Sequence, residues 1–357
     1  MAARTEEQVL EAIEARRRRP HVKLMDQHVT LSHGAGGKAS HVLTEMVFLR
    51  AFENPALRAL GDAAAVTGDL VMSTDAFVVR PLTFPGGDIG ELAVNGTVND
   101  LAMAGAVPLA LTAAFVIEEG FPTADLERIV VSMAAAARAA GVHVVAGVTK
   151  VVERGKADGL YVTTTGLGRV RPGLALDPAS IRPGDRVLVS GTLGDHGMAV
   201  MIARGELELE IDLESDTAPL HDLTRVLLDA AGDHVRCLRD PTRGGLATVL
   251  NELALSAELA IVVDEAAVPV RPGTNGACEI LGIDPLYVAN EGKLAAIVAP
   301  EAADAALAAL RAHPLGADAA IVGEVRGEPP GMVLLDTAFG GSRVVDMLAG
   351  DPLPRIC

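Results

Sequence analysis

The segment Arg171 to Asp185, with the sequence RPGLALDPASIRPGD, separates two long stretches of alternating helical and strand patterns. It contains three prolines and two glycines, at positions 172, 178 and 183 and at positions 173 and 184. Both residue types interrupt regular structure, and clusters of them are typical of boundaries between domains. The sequence therefore predicts a linker at residues 171–185 between two folded units of comparable size.

Helical and strand patterns alternate on both sides of this linker, which favours an α/β fold of the α+β type with mixed sheets flanked by helices. The predicted helices span residues 40–52, 125–140, 220–231, 246–257 and 302–312. The predicted strands span residues 70–73, 109–117, 142–146, 160–165, 186–190, 259–263, 295–298 and 321–325. We expect two domains, at residues 31–170 and 186–346, between an N-terminal extension (residues 1–30) and a flexible tail (residues 347–357).

Composition and charge limit the classes of function. The chain has 357 residues, half of them apolar, which is enough to form the cores of two domains. Its formal charge of -17 repels the phosphates of nucleic acids, so we expect no nucleic-acid partner. The first residues are charged and polar, and no long apolar stretch is uninterrupted. We therefore expect no signal peptide, no membrane segment and a cytoplasmic location.

A glycine-rich segment, HGAGGK at residues 33–38, precedes the first predicted helix. Backbone amides at the start of a helix suit phosphate oxygens, and Lys38 adds a positive charge. The segment lacks the spacing of a Walker A loop, and a plain loop with a helix cap is the alternative. Gly36, Gly37 and Lys38 are the candidate phosphate contacts.

Four aspartates stand at the ends of apolar strands or beside glycines, at Asp62, Asp75, Asp100 and Asp240. Carboxylates at such positions project into clefts and supply the oxygen ligands that nucleotide-bound Mg²⁺ prefers. Each one alone is more often a turn or cap residue. Asp75 follows apolar residues, where a buried carboxylate needs a cation or hydrogen-bond donors to offset its desolvation.

Lys150 and Glu291 each lie within apolar sequence, Lys150 immediately after a predicted strand and Glu291 shortly before another. They form either a structural ion pair or a proton-transfer pair whose pKa values are tuned by burial. The residues alone leave both interpretations open.

The sequence ends in GDPLPRIC, residues 350–357, with two prolines that exclude a helix. Eight extended residues span roughly 25 Å at about 3.1 Å each. Cys357 is then a thiol on a movable arm, and a frayed terminus without function is the alternative.

Taken together, several segments resemble the HypE family of hydrogenase maturation factors. They are HGAGGK, STDAF, PLTFPGGDIGELAVNGTVNDLAMAGA, TKVVERG, VSGTLGDHG, RDPTRGG, ANEGKL and the terminal PRIC. The resemblance covers residues 31–357 and implies two domains of the PurM or AIR synthetase type. It also implies a homodimer formed through the N-terminal domain, and binding of ATP with Mg²⁺.

The activity that the resemblance implies is that of a carbamoyl dehydratase. A carbamoyltransferase, HypF, would load a carbamoyl group onto Cys357, and ATP-dependent dehydration would convert it to a thiocyanate. The cyano group would pass to iron on the HypC–HypD scaffold complex, for a nickel-iron hydrogenase. Lys150 and Glu291 would remove protons. The implied nucleotide contacts are Gly36, Gly37, Lys38, Asp75, Asn99, Asp100, Thr149 and Asp240, and the implied metal ligands are Asp62, Asp75, Asp100 and Asp240.

Two other functions remain open at this point. The same superfamily contains ATP-dependent phosphotransferases such as selenophosphate synthetase and thiamine-phosphate kinase, which need no terminal thiol. A chain without catalytic activity that only presents its tail to maturation partners is the third possibility.

The chain departs from the family pattern at Val148, where the sequence GVTK replaces the usual GDTK. A valine removes an anionic oxygen from a possible metal site. We therefore predict that the Val148→Asp variant binds Mg-ATP more tightly or dehydrates faster than the natural chain, with the fold unchanged. Calorimetric titration and turnover measure this, and equal affinity with equal turnover would contradict it.

Overall fold

The computed structural model describes residues 27–52, 54–205, 211–348, 350, 353 and 355–357. Most of the predicted N-terminal extension lies outside the described residues. The described chain forms two large mixed sheets with helices packed against them, as predicted. The exact domain boundaries stay predictions, with the strands of one sheet at residues 64–170 and those of the other at 186–345.

The first sheet has five strands in the order β1-β2-β7-β5-β6. Its strands are β1 (Ala64–Thr67), β2 (Leu70–Phe77), β5 (Ala106–Glu118), β6 (Val144–Val152) and β7 (Leu160–Val170). Only β5 and β6 run parallel, and the other pairs are antiparallel. A two-stranded ribbon, β3 (Thr83–Phe84) with β4 (Gly87–Asp88), lies outside both large sheets.

The second sheet has seven strands in the order β14-β13-β10-β12-β8-β11-β9. They are β8 (Arg186–Val189), β9 (Val235–Arg239), β10 (Ala260–Asp264), β11 (Ala295–Val298), β12 (Ala320–Arg326), β13 (Met332–Asp336) and β14 (Ser342–Val345). The pair of β10 and β13 is parallel and the rest are antiparallel.

Nine α-helices of four or more residues lie in the described ranges: α1 (Lys38–Leu43), α2 (Pro55–Arg58), α3 (Ile89–Met103), α4 (Thr123–Ala139), α5 (Asp195–Ala203), α6 (His221–Ala231), α7 (Gly245–Ala257), α8 (Pro272–Leu281) and α9 (Ala303–Ala312). A π-helical segment, Thr44–Leu49, and a last turn, Arg50–Phe52, continue α1. No helix in these ranges is long and apolar enough to span a bilayer.

Helix α3 occupies the centre of the molecule. It packs on β2, β5, β7 and α4 of the first half and also touches α6 and β9 of the second. Asp88 caps its first turn by accepting hydrogen bonds from the Gly90 and Glu91 amides at 2.8 and 3.0 Å. Nearly every residue of α3 is buried. The helix is therefore one of the elements through which the two halves contact each other.

The patterns that we used did not predict α3, nor α5 and α8. A helix that is buried on all sides has no polar face, and the apolar periodicity that marks a surface helix is lost. The sequence of α3 contains glycine, asparagine and threonine on buried positions for the same reason, since it contacts protein on every side.

Close packing of α3 on α4 leaves no room for a side chain at Gly90. A Cβ atom there would lie 2.3 Å from the Ile129 carbonyl oxygen. We expect Gly90→Ala to lower the free energy of unfolding by about 1–3 kcal/mol, as overpacked cores do. The control is Gly276→Ala in α8, where nothing lies within 4 Å, and which should raise it by about 0.4–1 kcal/mol. Urea unfolding compares both, and equal effects would contradict this packing.

Candidate active site between the two halves

A cavity of about 210 Å³ lies where the two halves meet. Its lining is mostly polar and comprises Asp62, Thr74, Asp75, Gly96, Asp100, Asp240, Thr242, Arg243, Glu291 and Cys357. The structure thus brings together the four predicted aspartates, Glu291 and the cysteine at the end of the sequence. We call this space the carboxylate cavity.

Different elements supply the five carboxylates. Asp62 precedes β1, Asp240 follows β9 and Glu291 precedes β11, as the sequence indicated. The expected placement was wrong for Asp75 and Asp100. Asp75 lies inside β2, because this strand continues to Phe77, and Asp100 lies on α3.

The carboxylates repel one another. Desolvation and the charges of Asp240, Asp62 and Asp75 raise the pKa of Asp100 well above its usual value. Desolvation, followed by Asp240, Asp75 and Asp216, raises the pKa of Glu291 in the same way. The pKa of Asp240 is also raised well above normal, chiefly by desolvation. The cavity is therefore built to accept protons or cations.

Two arginines offset part of this charge. Arg239 forms an ion pair with Asp62 at 3.1 Å. Arg243 lines the carboxylate cavity, and the charge on Cys357 is the largest influence that raises the pKa of its guanidinium. Sequence reasoning missed Arg243. Its signal was the segment RDPTRGG, in which a cation follows Asp240 by three residues and precedes two glycines.

The backbone of Glu291 is fixed from two sides. Asn99 on α3 donates a hydrogen bond to the Glu291 carbonyl at 3.0 Å, and the Glu291 amide donates to Asp216 at 3.0 Å. Asp216 also pairs with Lys293 at 3.0 Å. Asn99 further accepts a hydrogen bond from the Leu220 amide. It thus ties α3 to loops of the second half, and its contact with a nucleotide stays a prediction.

Cys357 reaches the carboxylate cavity because the end of the chain is docked. The Val78 amide donates to the Cys357 carbonyl at 3.1 Å, and the Arg80 amide donates to the Arg355 carbonyl at 3.2 Å. Leu353 and Ile356 are buried in an apolar core to which both halves contribute. The sequence indicated an extended arm, and the structure places its end against the segment that follows β2.

The glycine-rich segment lies beside the docked chain end. Gly36 and Gly37 permit close backbone contact, because Cβ atoms there would lie 2.7 Å from the Arg243 carbonyl oxygen and 2.5 Å from that of Leu348. The Lys38 ammonium pairs with Asp346 at 2.9 Å. Gly34 and Ala35 line a smaller cavity of about 70 Å³ that also contacts Arg243 and Cys357. Phosphate contact by this segment stays a prediction.

Lys150 and Thr149 lie apart from the carboxylate cavity within one chain. Both are exposed on β6, which continues to Val152, so the expected end of this strand before Lys150 was wrong. Three strand spacings separate β6 from β2, a distance of about 14 Å. The suggested ion pair of Lys150 with Glu291 therefore does not form within the chain, and Val148 on the same strand is equally remote.

The residues of the cavity suit a hydrated divalent cation. Within the described ranges, no three His, Cys, Asp or Glu side chains lie close enough together to hold a metal ion by themselves. Mg²⁺ usually keeps several waters and binds through one or two carboxylates and substrate phosphates. The crowded carboxylates with raised pKa values fit that mode of binding.

Comparison with known proteins defines the class. Residues 61–170 match the family model of the N-terminal domain of AIR synthase related proteins, and residues 182–335 match that of the C-terminal domain. A thiamine monophosphate kinase from Aquifex aeolicus shares the fold at 18% identity, with a TM-score of 0.61 over 87% of this chain and 98% of that chain. The fold and the acidic cleft thus define a two-domain protein of the AIR synthase related class.

More similar relatives define the family within this class. A carbamoyl dehydratase HypE of Rhizobium leguminosarum bv. viciae is 56% identical over 92% of this chain and 95% of its own length. The carbamoyl dehydratase HypE of Escherichia coli K12 is 46% identical over 92% of this chain and 99% of its own length. The chain belongs to the HypE family of carbamoyl dehydratases.

Solved structures agree with this assignment. A HypE–HypF complex contains a chain that is 49% identical, with a TM-score of 0.83, covering 86% of this chain and 99% of that chain. A HypE structure in complex with ATP is 48% identical, with a TM-score of 0.78, covering 92% of this chain and 100% of that chain.

Charge crowding in the cavity predicts the effect of removing one carboxylate. The pKa of Asp100 is higher in the folded chain than in the unfolded chain. In the unfolded chain this carboxyl ionises at a pH of about 4, so the natural chain loses stability as the pH rises above that value. We expect Asp100→Asn to melt at a higher temperature without metal, with a larger gain at pH 8 than at pH 5. We also expect Mg²⁺ to stabilise the variant less than the natural chain.

Thermal unfolding at both pH values, with and without Mg²⁺, measures these effects. Asp212→Asn is the control, because Asp212 is exposed and lies outside the cavity lining. A variant that melts lower than the natural chain at pH 8, or that responds equally to Mg²⁺, would contradict the crowding.

Proposed function

We propose that the protein dehydrates a carbamoyl group carried on the Cys357 thiol, in a reaction driven by ATP. The observation that carries the proposal is the position of Cys357 at the wall of a cavity that also holds Glu291 and four aspartates. A group attached to this sulfur would enter a site rich in proton acceptors and suited to a cation.

The chemistry converts R–S–CO–NH₂ and ATP into R–S–C≡N, ADP and phosphate. The amide oxygen is a poor leaving group, and phosphorylation makes it depart as phosphate. Two N–H protons must leave as the C≡N bond forms. Glu291 is the proposed acceptor, since its raised pKa places proton transfer nearer neutral pH than for an ordinary glutamate. Arg243 beside Cys357 would balance negative charge that develops on the oxygen.

Nucleotide and metal would bind at the acidic edge of the cavity. One or two carboxylates of the set Asp62, Asp75, Asp100 and Asp240 would hold a hydrated Mg²⁺, which neutralises phosphate charge when bound. Gly36, Gly37 and Lys38 are the proposed phosphate contacts, together with Asn99 and, from a second copy of the chain, Thr149. The HypE relative in complex with ATP supports nucleotide binding by this chain.

The proposed partners follow from the family. The structure of a HypE–HypF complex supports loading of Cys357 by HypF. Delivery of the cyano group to iron on HypC–HypD, in the cytoplasm, completes the proposed role. For the kinase alternative, the thiamine monophosphate kinase at 18% identity shows the fold and not the activity.

A second copy of the chain would complete the site. Strand β6 lies at one edge of its sheet and exposes Val144, Val145, Val148 and Val151. An apolar edge strand of this length favours pairing with another chain. The homodimer that we propose covers this edge, and Lys150 would then act on the site of the other copy, since it does not reach Glu291 in its own.

The proposed role of Glu291 predicts that a variant at this position accepts the carbamoyl group but does not dehydrate it. We expect Glu291→Gln to accept the carbamoyl group from HypF at the natural rate and to lose water at least 100-fold more slowly, the scale of general-base catalysis. Mass spectrometry of the C-terminal peptide separates the two steps, because dehydration removes the mass of one water. The control is the exposed Glu119→Gln.

Absence of the carbamoyl mass on Cys357 in the natural chain would overturn the proposed function. Dehydration by Glu291→Gln at the natural rate would overturn the role of Glu291 alone.

A further inference from the structure

The docked chain end contacts a buried histidine outside the carboxylate cavity. The His196 side chain is fully buried, and its Nε2 atom lies 3.0 Å from the Ile356 carbonyl oxygen. Its Nδ1 atom lies 2.8 Å from the Ser215 hydroxyl. Ile356 immediately precedes Cys357, so this contact fixes the peptide that leads to the reactive thiol.

The hydrogen bonds determine which nitrogen carries the proton. A carbonyl oxygen only accepts, so Nε2 must be the donor to Ile356. Burial lowers the pKa of His196, which favours the neutral ring. The Ser215 hydroxyl then donates to Nδ1, while it accepts a hydrogen bond from the Thr217 amide at 3.1 Å. The Nε2–H tautomer satisfies every donor and acceptor in this series of hydrogen bonds.

The surroundings hold His196 in one orientation. It is the second residue of α5, and the preceding Asp195 side chain accepts hydrogen bonds from Thr192 and Thr274 at 2.6 and 2.5 Å. Phe84 packs edge-on against the imidazole at a centroid distance of 5.4 Å. Gly197 allows α5 to approach Val288, since a Cβ atom there would lie 2.5 Å from its side chain. The ring is therefore held by contacts other than its hydrogen bond to the chain end.

A second anchor of the chain end is more exposed. Arg355 pairs with Asp158 at 2.5 Å, and Arg80 pairs with the same carboxylate at 3.0 Å. The Asp158 side chain is 40% exposed, and exposed ion pairs contribute little to stability and are screened by salt. The buried hydrogen bond from His196 is worth more, because its loss leaves the Ile356 carbonyl without that donor.

We propose that His196 is a positioning residue for dehydration, which holds the Ile356 carbonyl so that the group on Cys357 faces the carboxylate cavity. The expected effect on dehydration rests on the proposed function. The expected effect on the docking of the chain end rests on the hydrogen bond alone. His196 touches neither the carbamoyl group nor the nucleotide in this role.

Two amide variants separate positioning from mere core packing. In His196→Gln the side-chain NH₂ reaches the place of Nε2 and can still donate to Ile356. In His196→Asn the shorter side chain reaches only the place of Nδ1 and no longer donates a hydrogen bond to the Ile356 carbonyl. Both place a neutral amide in the same buried site, so a purely structural role predicts similar effects.

The first measurement is the alkylation rate of Cys357 by iodoacetamide in the full-length chain, read from the mass of the C-terminal peptide. We expect His196→Asn to raise this rate about tenfold, while His196→Gln stays within about twofold of the natural chain. A tenfold change corresponds to about 1.4 kcal/mol, within the range for a lost buried hydrogen bond. His234→Gln, at an exposed histidine, is the control.

The second measurement is dehydration after loading by HypF. We expect His196→Asn to lower kcat for dehydration about tenfold with the KM for ATP unchanged, and loading to be as fast as in the natural chain or faster. Equal behaviour of the Asn and Gln variants in both measurements would overturn the inference. A natural chain that loads but never loses water would overturn the proposed function, while the alkylation rates would still test docking.

Nitrogen-15 NMR of the natural chain is independent of any variant. We expect His196 to be neutral with its proton on Nε2, and a neutral ring protonated on Nδ1 would also overturn the inference.

Discussion

Five carboxylates share one cavity, and their mutual repulsion is the constraint on which the rest of the site depends. Two arginines balance only part of this charge, and burial together with the remaining repulsion raises the pKa values of Asp100, Asp240 and Glu291. Crowded carboxylates lower the stability of the fold. The same carboxylates can bind a cation with its nucleotide or accept a proton during the reaction. The charge that destabilises the cleft is thus the feature that suits it to the proposed chemistry.

A buried helix with contacts to both halves positions residues of the cleft. Helix α3 supplies Asp100 to the cavity and, one residue earlier, uses Asn99 to hold the Glu291 backbone of the second half. Asp216 fixes the same glutamate from the other side. A shift between the halves would therefore change the distance from Glu291 to the aspartates, which couples packing at the interface to chemistry.

The sequence predicted the fold class, and which acidic residues line the carboxylate cavity, better than it predicted the strands and helices on which these residues lie. Asp75 was expected at a strand end and lies within β2, because the polar residues Ser73, Thr74 and Asp75 ended the apolar pattern while the backbone pairing with β7 continued. Helix α3 was missed because burial on all sides removes amphipathic periodicity.

Other features depend on tertiary contacts that no local pattern encodes. The separation of Lys150 from Glu291 follows from strand order, and the role of His196 follows from a contact across 160 residues. The sequence also did not predict the docked position of the chain end, since two prolines indicate only an extended segment. Sequence motifs identified Lys150, Glu291 and Cys357, and the fold determined which of them meet.

In the proposed reaction, a group on Cys357 enters the carboxylate cavity next to the bound cation. The most direct measurement uses Cys357 loaded with a ¹³C-carbamoyl group, a non-hydrolysable ATP analogue, and Mn²⁺ in place of Mg²⁺. We expect strong paramagnetic broadening of the ¹³C resonance by Mn²⁺ and none with Mg²⁺. A carbamoyl resonance that stays sharp when Mn²⁺ and the nucleotide are bound would contradict it.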